Sequence, residues 1–343
     1  MNKKVVVIGG GIAGMESASY LVAMGYDVTL LEKEAKLGGH LLNWERLFPT
    51  KRLGKEVLEF LNAGVDNKVT ISTENSVKSI RKINNHFEIE TEKGQQFEAH
   101  AILICTGYDL FDARKKEEYG YGIYDNVITS ADLEILFSTG KEIATKNGEK
   151  PKRIGIVHCV GSRDEKVGNT YCSKVCCVTA VKQAIEIKER LPEAEIFCFY
   201  MDLRMFGMRF ESLYKEAQEK WGVNFIRGRL SEACENSDET IVVKVEDTLA
   251  GKPLKMTVDL LVLMVGFVPS EGSKKIGKLL DLQFNEFGFL NVADEHTMTN
   301  VANITGVFLA GAATGAKSIT NTITDARAAA AKVACFLTST YQS

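Results

Sequence analysis

The first 32 residues of the chain place the strongest constraint on its fold. An apolar run at residues 5–8 leads into Gly9-Gly10-Gly11-Ile12-Ala13-Gly14, and a segment with apolar residues near helical spacing follows. A second apolar run, at residues 26–31, ends at Glu32. Because continuous apolar runs are typical of parallel strands that are buried on both faces, we predict a β-α-β unit of about 30 residues.

The three glycines of this loop have the spacing of a dinucleotide-binding site. Gly9, Gly11 and Gly14 form G-x-G-x-x-G, and Glu32 follows the last glycine by 18 positions. The first glycine permits a tight turn, the second lets the backbone approach a pyrophosphate, and the third lets helix and strand pack. The helix N-terminus can bind the phosphates, and Glu32 can accept a hydrogen bond from a ribose hydroxyl. The predicted lining is completed by Ala13 and Lys33.

The rest of the chain alternates helical and strand patterns, with a second β-α-β region after residue 150. Short alternating strands over residues 69–99 predict a small antiparallel meander inserted into the α/β pattern. Ser130 is predicted to cap a short helix that runs through Phe137. The other predicted elements are helices at 50–63, 173–190, 209–220 and 325–337, and strands at 101–105, 153–160, 195–200, 223–226, 241–245, 260–265 and 307–311.

Four of the eight cysteines lie in one short window of the second region. Cys159, Cys172, Cys176 and Cys177 read C-x12-C-x3-C-C. Four thiolates are the usual ligand set of an iron–sulfur cluster, whereas an adjacent Cys-Cys pair fits poorly with the C-x2-C knuckles of zinc sites. Cys159 ends a predicted strand and the other three lie near a predicted helix start, so Cys172 and Cys176 share a face if that turn is helical. A zinc site, a Cys176–Cys177 redox dithiol and buried free thiols are the alternatives.

The window occupies the strand–loop–helix opening of the second β-α-β region, the position at which the first region carries its glycine loop. Residues 155–162 contain no G-x-G-x-x-G. We therefore predict that an inorganic electron carrier replaces a nucleotide at the same topological position. His158 is predicted to be a hydrogen-bonded core histidine, and Arg163 and Arg204 to lie on a solvated face. The remaining cysteines are predicted to be buried small hydrophobes: Cys105, Cys198, Cys234 and Cys335.

Composition narrows the class of protein. The formal net charge of −3 gives no nucleic-acid footprint, and no stretch of roughly 20 apolar residues could span a bilayer. Four residues precede the first apolar run, so we expect no signal peptide and a reducing, cytoplasmic location. In that compartment clustered cysteines favour a metal or catalysis over disulfides.

Several later segments resemble the flavoproteins with two dinucleotide-binding domains, of the thioredoxin-reductase-like class. They are Gly38-Gly39-His40 after the first acidic residue, the meander before a strand that ends in Thr106-Gly107, and the late strand that ends in Gly311-Ala312. The resemblance implies an α/β fold with Rossmann-type sheets, FAD as the cofactor, and these residues in its lining.

One residue departs from the pattern of those flavoproteins. Their usual Gly-Asp is here Gly311-Ala312, so the carboxylate that would hold the ribityl chain is missing. We expect backbone amides at residues 312–314 to replace it. Lys317, in the same loop, would place a cation that stabilises reduced anionic flavin, with plain solvation as the alternative.

The segments around the cysteines carry a more specific resemblance. CVGSRD and YCSKVCC are similar to the central segment of HdrA, the flavoprotein component of heterodisulfide reductases, as are FIRGR at 225–229, GFVPS at 266–270 and GVFLAGAATGAKSI at 306–319. The resemblance implies FAD, together with partner subunits similar to heterodisulfide reductase B and C. It also implies a 4Fe–4S cluster on four cysteines: Cys159, Cys172, Cys176 and Cys177.

The chain has fewer cysteine motifs than the methanogen type of HdrA. It has no C-x2-C-x2-C-x3-C-P run, so it is not expected to carry the clusters needed for flavin-based electron bifurcation. A short HdrA-like chain of this kind is similar to the A component of the heterodisulfide-reductase-like complex of sulfur oxidisers. The nearest alternative is the flavoprotein of the quinone-interacting oxidoreductase of sulfate reducers.

The sequence thus predicts two domains. Residues 1–111 with 271–343 would form an FAD-binding domain, and residues 112–270 an NAD-domain-like segment that carries the cluster. The predicted function is electron transfer between FAD and the cluster in a complex of sulfur metabolism, with a homodimer seam along residues 325–334. No catalytic residue for an independent substrate is identified. The rival hypotheses are an autonomous flavin disulfide reductase using Cys176–Cys177 and a zinc-stapled nucleotide-binding module.

Overall fold

The computed structural model describes residues 3–341 and has the predicted α/β class. The strands are β1 Lys4–Ile8, β2 Asp27–Leu31, β3 Arg46–Leu47, β4 Arg52–Leu53, β5 Thr70–Ser72, β6 Val77–Ile83, β7 His86–Thr91, β8 Gln96–Ala99, β9 Ala101–Ile104, β10 Tyr108–Leu110, β11 Val127–Thr129, β12 Arg153–Val160, β13 Glu195–Tyr200, β14 Asn224–Arg227, β15 Leu230–Glu235, β16 Ile241–Asp247, β17 Lys252–Val258, β18 Leu260–Val265, β19 Phe267–Pro269 and β20 Val307–Leu309. The α-helices are α1 Ile12–Ala23, α2 Gly54–Val65, α3 Ser130–Ser138, α4 Cys176–Arg190, α5 Phe210–Lys215, α6 Glu271–Leu280 and α7 Ile319–Tyr341.

The chain divides into two compact units. Unit 1 comprises Met1–Leu42, Gly54–Asp109 and Val268–Ser343, and unit 2 comprises Asn43–Leu53 and Leu110–Phe267. The predicted domain boundaries lay at residues 111 and 270, close to these crossings. The placement of Asn43–Leu53 in unit 2 was not foreseen.

Unit 1 is built on a five-stranded parallel sheet with the order β20-β9-β1-β2-β5. Its central strands are apolar on both faces, as the runs at β1 and β9 predicted. The meander β6-β7-β8 is a separate antiparallel sheet. The prediction that residues 69–72 belong to the meander was wrong, because β5 pairs in parallel with β2 at the edge of the large sheet.

Two helices of unit 1 differ from their predicted bounds. Helix α2 begins at Gly54 rather than at residue 50, since β3 and β4 pair as a short hairpin that takes up residues 46–53. Helix α7 begins at Ile319, six residues before the predicted start at residue 325.

The small residues of α7 are buried within the chain. Ala326, Ala329 and Ala330 are fully buried, and the backbone carbonyl of Ala326 accepts a hydrogen bond from Ser17 Oγ of α1 at 3.1 Å. Tyr26 Oη, just after α1, donates to the carbonyl of Ala334 at 3.2 Å. The stripe therefore packs against α1, and the homodimer predicted from it has no support from these residues.

Unit 2 has a second parallel sheet, with the order β11-β18-β12-β13-β14. An antiparallel sheet, β15-β16-β17, lies between β14 and β18 in the chain. The core combines the apolar face of α4 with the central strands, including Ile156, Val181 and Ile185, all fully buried.

The helix starts of unit 2 also differ from the prediction. The cap of α3 is Thr129 rather than Ser130, because Thr129 and Asp132 exchange hydrogen bonds in a capping box. Helix α4 begins at Cys176 rather than at residue 173. The helix predicted at 209–220 is split into α5 and a π-helical turn, Glu216–Lys220.

A buried ion cluster joins α3 to α4 inside unit 2. Lys182 Nζ contacts Glu134 Oε1 and lies 3.0 Å from Glu186 Oε2. Gln183 Nε2 donates to the same Glu134 oxygen at 2.8 Å. Burial raises the pKa of the Glu186 carboxyl to about 7, although Lys182 opposes the shift. Because two carboxylates share one ammonium, the cluster favours one bound proton near neutral pH.

The length and the apolar character of the helices determine whether any of them could cross a membrane. Across residues 3–341, no helix combines the length and the apolar character that crossing a membrane requires.

Candidate functional site

The glycine loop between β1 and α1 has the geometry that its spacing predicted. Gly9 has φ +109°, and a Cβ there would lie 2.4 Å from the Cys105 carbonyl oxygen. A Cβ at Gly14 would lie 1.8 Å from the carbonyl oxygen of Gly9. A Cβ at Gly11, by contrast, would meet no atom within 4 Å. The first and third glycines are thus required by packing, while the second faces open space at the start of α1, where an anionic group can approach backbone amides.

Glu32 lies at the end of β2, buried beside this loop. Its Oε2 accepts a hydrogen bond from the Gly10 amide at 2.5 Å, and its Oε1 accepts one from the Glu34 amide at 2.8 Å. Each carboxylate oxygen has two lone pairs, so both retain an acceptor site for a ribose hydroxyl. Its neighbour Lys33 has a 63% exposed side chain that lies 3.6 Å from Glu34, so Lys33 belongs to the surface.

Gly38 and Gly39 bring a second backbone segment against the loop. Both have positive φ, and the Gly38 amide donates to the Gly10 carbonyl at 2.8 Å. A Cβ at Gly39 would lie 3.3 Å from Gly11 Cα, so the two segments approach closely. His40 follows with its ring stacked on Tyr108 at 4.4 Å between centroids, and its Nε2 lies 2.9 Å from the Tyr108 carbonyl oxygen.

The ends of β9 and β20 form the other side of the loop. Thr106 Oγ1 lies 2.7 Å from Ser273 Oγ, and Gly107 has positive φ with open space at its Cβ position. A Cβ at Gly311 would lie 2.7 Å from that of Ala13, so this glycine is needed for close packing. The structure therefore brings the predicted loop residues of unit 1 together around the start of α1.

Asp325 of α7 is a functional candidate that sequence reasoning missed. Its Oδ2 accepts a hydrogen bond from the Gly311 amide at 2.8 Å, and its Oδ1 accepts one from Asn300 Nδ2 at 2.8 Å. Lys317 Nζ lies 3.5 Å from Oδ2 and donates to the Gly311 carbonyl at 2.9 Å. Asp325, from helix α7, thus places at this loop the carboxylate that Ala312 lacks. Its one signal in the sequence is an acidic residue in an otherwise small and neutral helix start.

Cys159 lies near the end of β12 in unit 2, where the strand is distorted. It has φ +60°, and the register between β12 and β18 shifts between Val157 and Val160. Arg163 and Lys174 in the following loop also have positive φ. Non-glycine residues with positive φ cost energy and concentrate at functional sites, so this loop is held in its shape by specific contacts.

The other three cysteines of the window lie beyond that loop. Cys176 and Cys177 are the first residues of α4 and are buried, whereas Cys172 lies in the loop and is half-buried. The turn between Cys172 and Cys176 is therefore not helical, so the condition under which the two cysteines would share a helical face is not met. The Lys174 amide donates to Cys172 Sγ at 3.3 Å, and Cys177 Sγ donates to the Asp202 carbonyl at 3.5 Å.

The four thiols interact electrostatically with one another. Burial, together with the charges of Cys177 and Cys172, raises the pKa of Cys159 to about 12, against the effect of Arg163. Burial also raises the pKa of Cys176 well above its ordinary value, as do the other three thiols. The pKa of Cys177 is raised by burial as well, while the backbone amide of Arg204 opposes the shift. Thiols this close become thiolates only when a cation compensates their charges.

Two polar side chains at this site have unpaired buried nitrogens. Both ring nitrogens of His158 lack a hydrogen-bond partner among the described residues, so the prediction of a hydrogen-bonded histidine was wrong. Burial lowers the pKa of His158 to about 4, so its ring is neutral. Arg163 Nη2 pairs with Asp202 Oδ2 at 2.7 Å, while its Nη1 is buried without a partner among residues 3–341. Arg163 therefore does not lie on a solvated face as predicted.

The donor atoms around the four cysteines decide whether a metal cluster fits this site. Among residues 3–341, no group of three or more His, Cys, Asp or Glu side chains is arranged to hold a metal ion. The donor set nevertheless has the chemistry of an iron–sulfur site: four mutually interacting thiols, a backbone amide on one sulfur, and an unpaired guanidinium nitrogen. The residues fit the cluster chemically, and their role as ligands stays a prediction.

The isolated cysteines behave in two ways. Cys105 and Cys198 are buried, as predicted. Cys234 and Cys335 are exposed, so the prediction that they are buried was wrong, since each lies on the outer face of an otherwise amphipathic element.

Comparison with known proteins gives a general likeness of fold and a more specific likeness of sequence. Residues 1–125 match the family described as pyridine nucleotide-disulphide oxidoreductase. The thioredoxin reductase structures of T. acidophilum and Lactococcus lactis superpose on the chain with TM-scores of 0.67 at 18% and 19% identity. They cover 100% and 98% of the chain, and the chain covers 100% of each. The chain thus has the thioredoxin-reductase-like FAD/NAD(P)-binding fold.

Curated relatives are more similar in sequence. The A subunit of the H(2):CoB-CoM heterodisulfide,ferredoxin reductase of Methanothermobacter thermautotrophicus is 32% identical, and the iron-sulfur A subunit of the CoB--CoM heterodisulfide reductase of Methanocaldococcus jannaschii is 31% identical. Each match spans 97% of this chain and 64% of the relative, so the chain corresponds to just under two thirds of those proteins. Over that shared part, the chain is similar in sequence to the HdrA subunits of heterodisulfide reductases.

Proposed function

We propose that the chain is an FAD- and 4Fe–4S-containing electron-transfer subunit of a heterodisulfide-reductase-like complex in sulfur metabolism. One observation carries the proposal. Four cysteines lie at the strand–loop–helix opening of unit 2, with Cys159 at the end of β12, Cys172 in the loop and Cys176 and Cys177 at the start of α4, and this opening contains no second nucleotide-binding glycine loop. The printed name of the Methanocaldococcus jannaschii relative, which describes an iron-sulfur protein, agrees with it.

The residues of unit 1 would hold FAD. Gly11 leaves open space for the pyrophosphate at the start of α1, and Glu32 offers acceptor sites to a ribose hydroxyl. Asp325 and Lys317 fix the Gly311 loop, so amides near Ala312 can bind the ribityl chain. FAD when bound exchanges electrons singly or in pairs. The protein residues orient it and fix the charges that surround it.

The cysteines of unit 2 would hold the cluster, which when bound carries single electrons. Its ligands would be Cys159, Cys172, Cys176 and Cys177. Hydrogen bonds to sulfur raise the reduction potential of such clusters, and the Lys174 amide provides one to Cys172. The start of α4 favours negative charge at Cys176 and Cys177.

Side-chain packing supports the absence of a nicotinamide nucleotide from this opening. A Cβ at Gly161 would lie 2.1 Å from Phe111 Cγ, so an aromatic ring fills the loop. Ser162 Oγ lies 2.6 Å from Ser173 Oγ, which accepts a hydrogen bond from the Phe267 amide at 2.9 Å. Space that a pyrophosphate would need is thus occupied by the protein.

Partner subunits similar to heterodisulfide reductase B and C would receive the electrons. The loop after β13 contains Asp202, whose carbonyl accepts a hydrogen bond from Cys177 Sγ, and it also carries Phe206 and Met208. These two side chains are 90% and 91% exposed. Large apolar side chains at such exposure mark interaction surfaces, and this loop continues directly from the cysteine site.

The alternative of a Cys176–Cys177 disulfide reductase is disfavoured by the same electrostatics. A reactive dithiol needs an accessible thiolate with a lowered pKa. Both residues are buried, and burial raises the pKa of each thiol.

Anaerobic purification followed by metal, sulfide and flavin analysis tests the proposal. We expect about one FAD, about four irons and about four sulfides per chain. The flavin bands should overlap a broad visible absorption that dithionite bleaches. Zinc in place of iron would support the zinc-stapled module instead, and a metal-free protein with full flavin content would contradict the cluster.

A further inference from the structure

A separate cavity in unit 2 is lined by the FIRGR segment. Its volume is about 700 Å³, within the range of small-molecule sites. Its lining lies outside residues 155–162 and includes none of the four cysteines, although Lys166 belongs to the loop between Cys159 and Cys172. The charged residues of the lining are Lys116, Lys166, Arg227, Arg229, Glu118 and Glu246.

The backbone of the FIRGR segment is held firmly. A Cβ at Gly228 would lie 2.0 Å from the Glu246 carbonyl oxygen, so only glycine fits this close approach. The Gly228 amide donates to the Tyr200 carbonyl at 2.8 Å, and both the amide and the hydroxyl of Thr248 donate to the Arg227 carbonyl at 2.8 Å. The two arginines that flank Gly228 therefore start from a fixed backbone.

A buried ion pair forms the base of the cavity. Lys116 is 2% exposed, and its Nζ lies 2.7 Å from Asp164 Oδ2 and 2.7 Å from Glu118 Oε1. Arg229 Nη2 lies 2.5 Å from the same Asp164 oxygen. Two cations thus share one aspartate, and the lining holds four cations against two carboxylates.

Both arginines keep donors for a ligand. Arg229 is 43% exposed and contacts Asp164 through one nitrogen. Arg227 is 49% exposed, donates through Nε to the Met201 carbonyl at 3.4 Å, and lies 3.8 Å from Asp202. A guanidinium has five N–H donors in a planar fork that matches phosphate oxygens.

We propose that this cavity binds a phosphate-bearing small molecule of nucleotide size. Asp164 balances part of the charge of Lys116 and Arg229, and the remaining N–H donors of the two half-exposed guanidinium groups, Arg227 and Arg229, suit the oxygens of a phosphate. The volume exceeds what a single phosphate needs, so a nucleoside or similar group would fill the remainder. The lining includes none of the four cysteines and no residue of the glycine loop at Gly9–Gly14.

Binding of ADP and of inorganic pyrophosphate to the FAD-loaded protein tests the inference. Calorimetry at about 0.15 M salt suppresses weak surface attraction. Arg227→Gln with Arg229→Gln should weaken ADP binding at least about tenfold, the effect of about 1.4 kcal/mol. The matched control, Arg81→Gln with Arg114→Gln, removes equal charge from outside the lining and should leave binding unchanged. Thermal unfolding and flavin content verify that each variant folds.

The other outcomes are also decisive. Competition between pyrophosphate and ADP would support phosphate recognition, and retention of ADP binding by Gly11→Val would separate this cavity from the FAD site. Arg229→Lys keeps the charge beside Asp164 but loses the fork, so it should bind ADP several-fold more weakly than wild type. ADP binding that is absent from the wild type, or that is unchanged in the double variant or in Arg229→Lys, would overturn the inference.

Discussion

The chain has two strand–loop–helix openings, β1–α1 in unit 1 and β12–α4 in unit 2. They share their topology but differ in what occupies the loop. The first loop is short and consists of glycines around open space at Gly11. The second is long and filled by side chains, with Phe111 against Gly161 and two serines in contact. Ligands of α/β sheets commonly bind at the carboxyl ends of parallel strands, and the kind of ligand depends on whether backbone or side chains face the site.

The comparison also separates two ways of handling charge. In unit 1, backbone amides and the start of α1 would face the anionic part of the proposed FAD. In unit 2, the buried thiols carry raised pKa values, so they would give up protons only as the proposed metal cluster binds. We therefore expect flavin loading to depend weakly on pH and cluster loading to fall in acid.

Serine substitution in the cysteine window should have the largest effect. Each of Cys159→Ser, Cys172→Ser, Cys176→Ser and Cys177→Ser should lower iron content or change the spectrum of the reduced cluster, while FAD content stays at the wild-type level. Cys198→Ser is the matched control, since Cys198 is a fully buried thiol of the same unit. If the iron content is unchanged in Cys177→Ser, the cluster must be held by three cysteines and another ligand instead of by four cysteines.

Gly11→Val should give the converse result. The new side chain fills the space that the pyrophosphate needs, and no protein atom lies within 4 Å of its Cβ. The variant should therefore fold, keep its iron, and lose FAD affinity at least about tenfold. Flavin fluorescence of the released cofactor measures the loss, and full flavin occupancy would show that the cofactor is misplaced.

Gly14→Ala is the contrast within the same loop. Its Cβ would lie 1.8 Å from the Gly9 carbonyl oxygen, so the backbone of the loop must move. Here we expect a lower thermal unfolding midpoint in the absence of FAD, which Gly11→Val should not show. Equal midpoints for the two variants would contradict the division between packing and ligand-facing glycines.

The ion cluster of unit 2 gives a pH prediction of smaller size. The folded pKa of Glu186, about 7, lies above that of an unfolded carboxyl, so its proton stabilises the fold at low pH. This contribution is fully present below about pH 4.5 and is lost as the pH rises through 7. Glu186→Gln removes the carboxyl that titrates, so the stability should no longer fall as the pH rises through 7. The variant should be more stable than the wild type at pH 8, by up to about 3 kcal/mol. Chemical unfolding at pH 5 and pH 8 tests it, and an unchanged pH dependence would argue against it.

The smallest expected effect is the absence of a reaction. NADH or NADPH mixed anaerobically with the protein should leave the flavin oxidised, because residues 155–162 lack a glycine loop and the space is packed. Rapid bleaching of flavin absorbance would mean that a nicotinamide nucleotide binds elsewhere, and would remove the distinction between the two openings.

Sequence alone predicted the parts of the molecule that depend on local spacing. The fold class and the roles of Gly9 and Gly14 follow from which backbone positions tolerate a side chain, and both agree with the structure. The start of α4 was missed because Ser173 and Tyr171 are held by contacts to Phe267, which is distant in the sequence. Asp325 was missed for the same reason, since its partner Gly311 is in another element.

Residues 43–53 and His158 illustrate a further limit of sequence reasoning. The hairpin β3–β4 belongs to unit 2 through contacts such as Arg46 with Glu189, at 2.5 Å, which no local pattern encodes. His158 lies in an apolar segment that is typical of a core strand, yet its ring nitrogens have no hydrogen-bond partners among the described residues. Hydrogen-bond partners of a buried residue are determined by tertiary packing, so sequence patterns cannot predict them.

Electron paramagnetic resonance of the anaerobically prepared, dithionite-reduced protein tests the central claim most directly. That claim is that the opening of unit 2 holds a redox cluster where unit 1 holds a dinucleotide. We predict a low-temperature signal of a reduced four-iron cluster, retained in Gly11→Val and Cys198→Ser and lost or altered in Cys176→Ser. A reduced wild-type protein whose only paramagnetic species is a flavin radical would contradict the account.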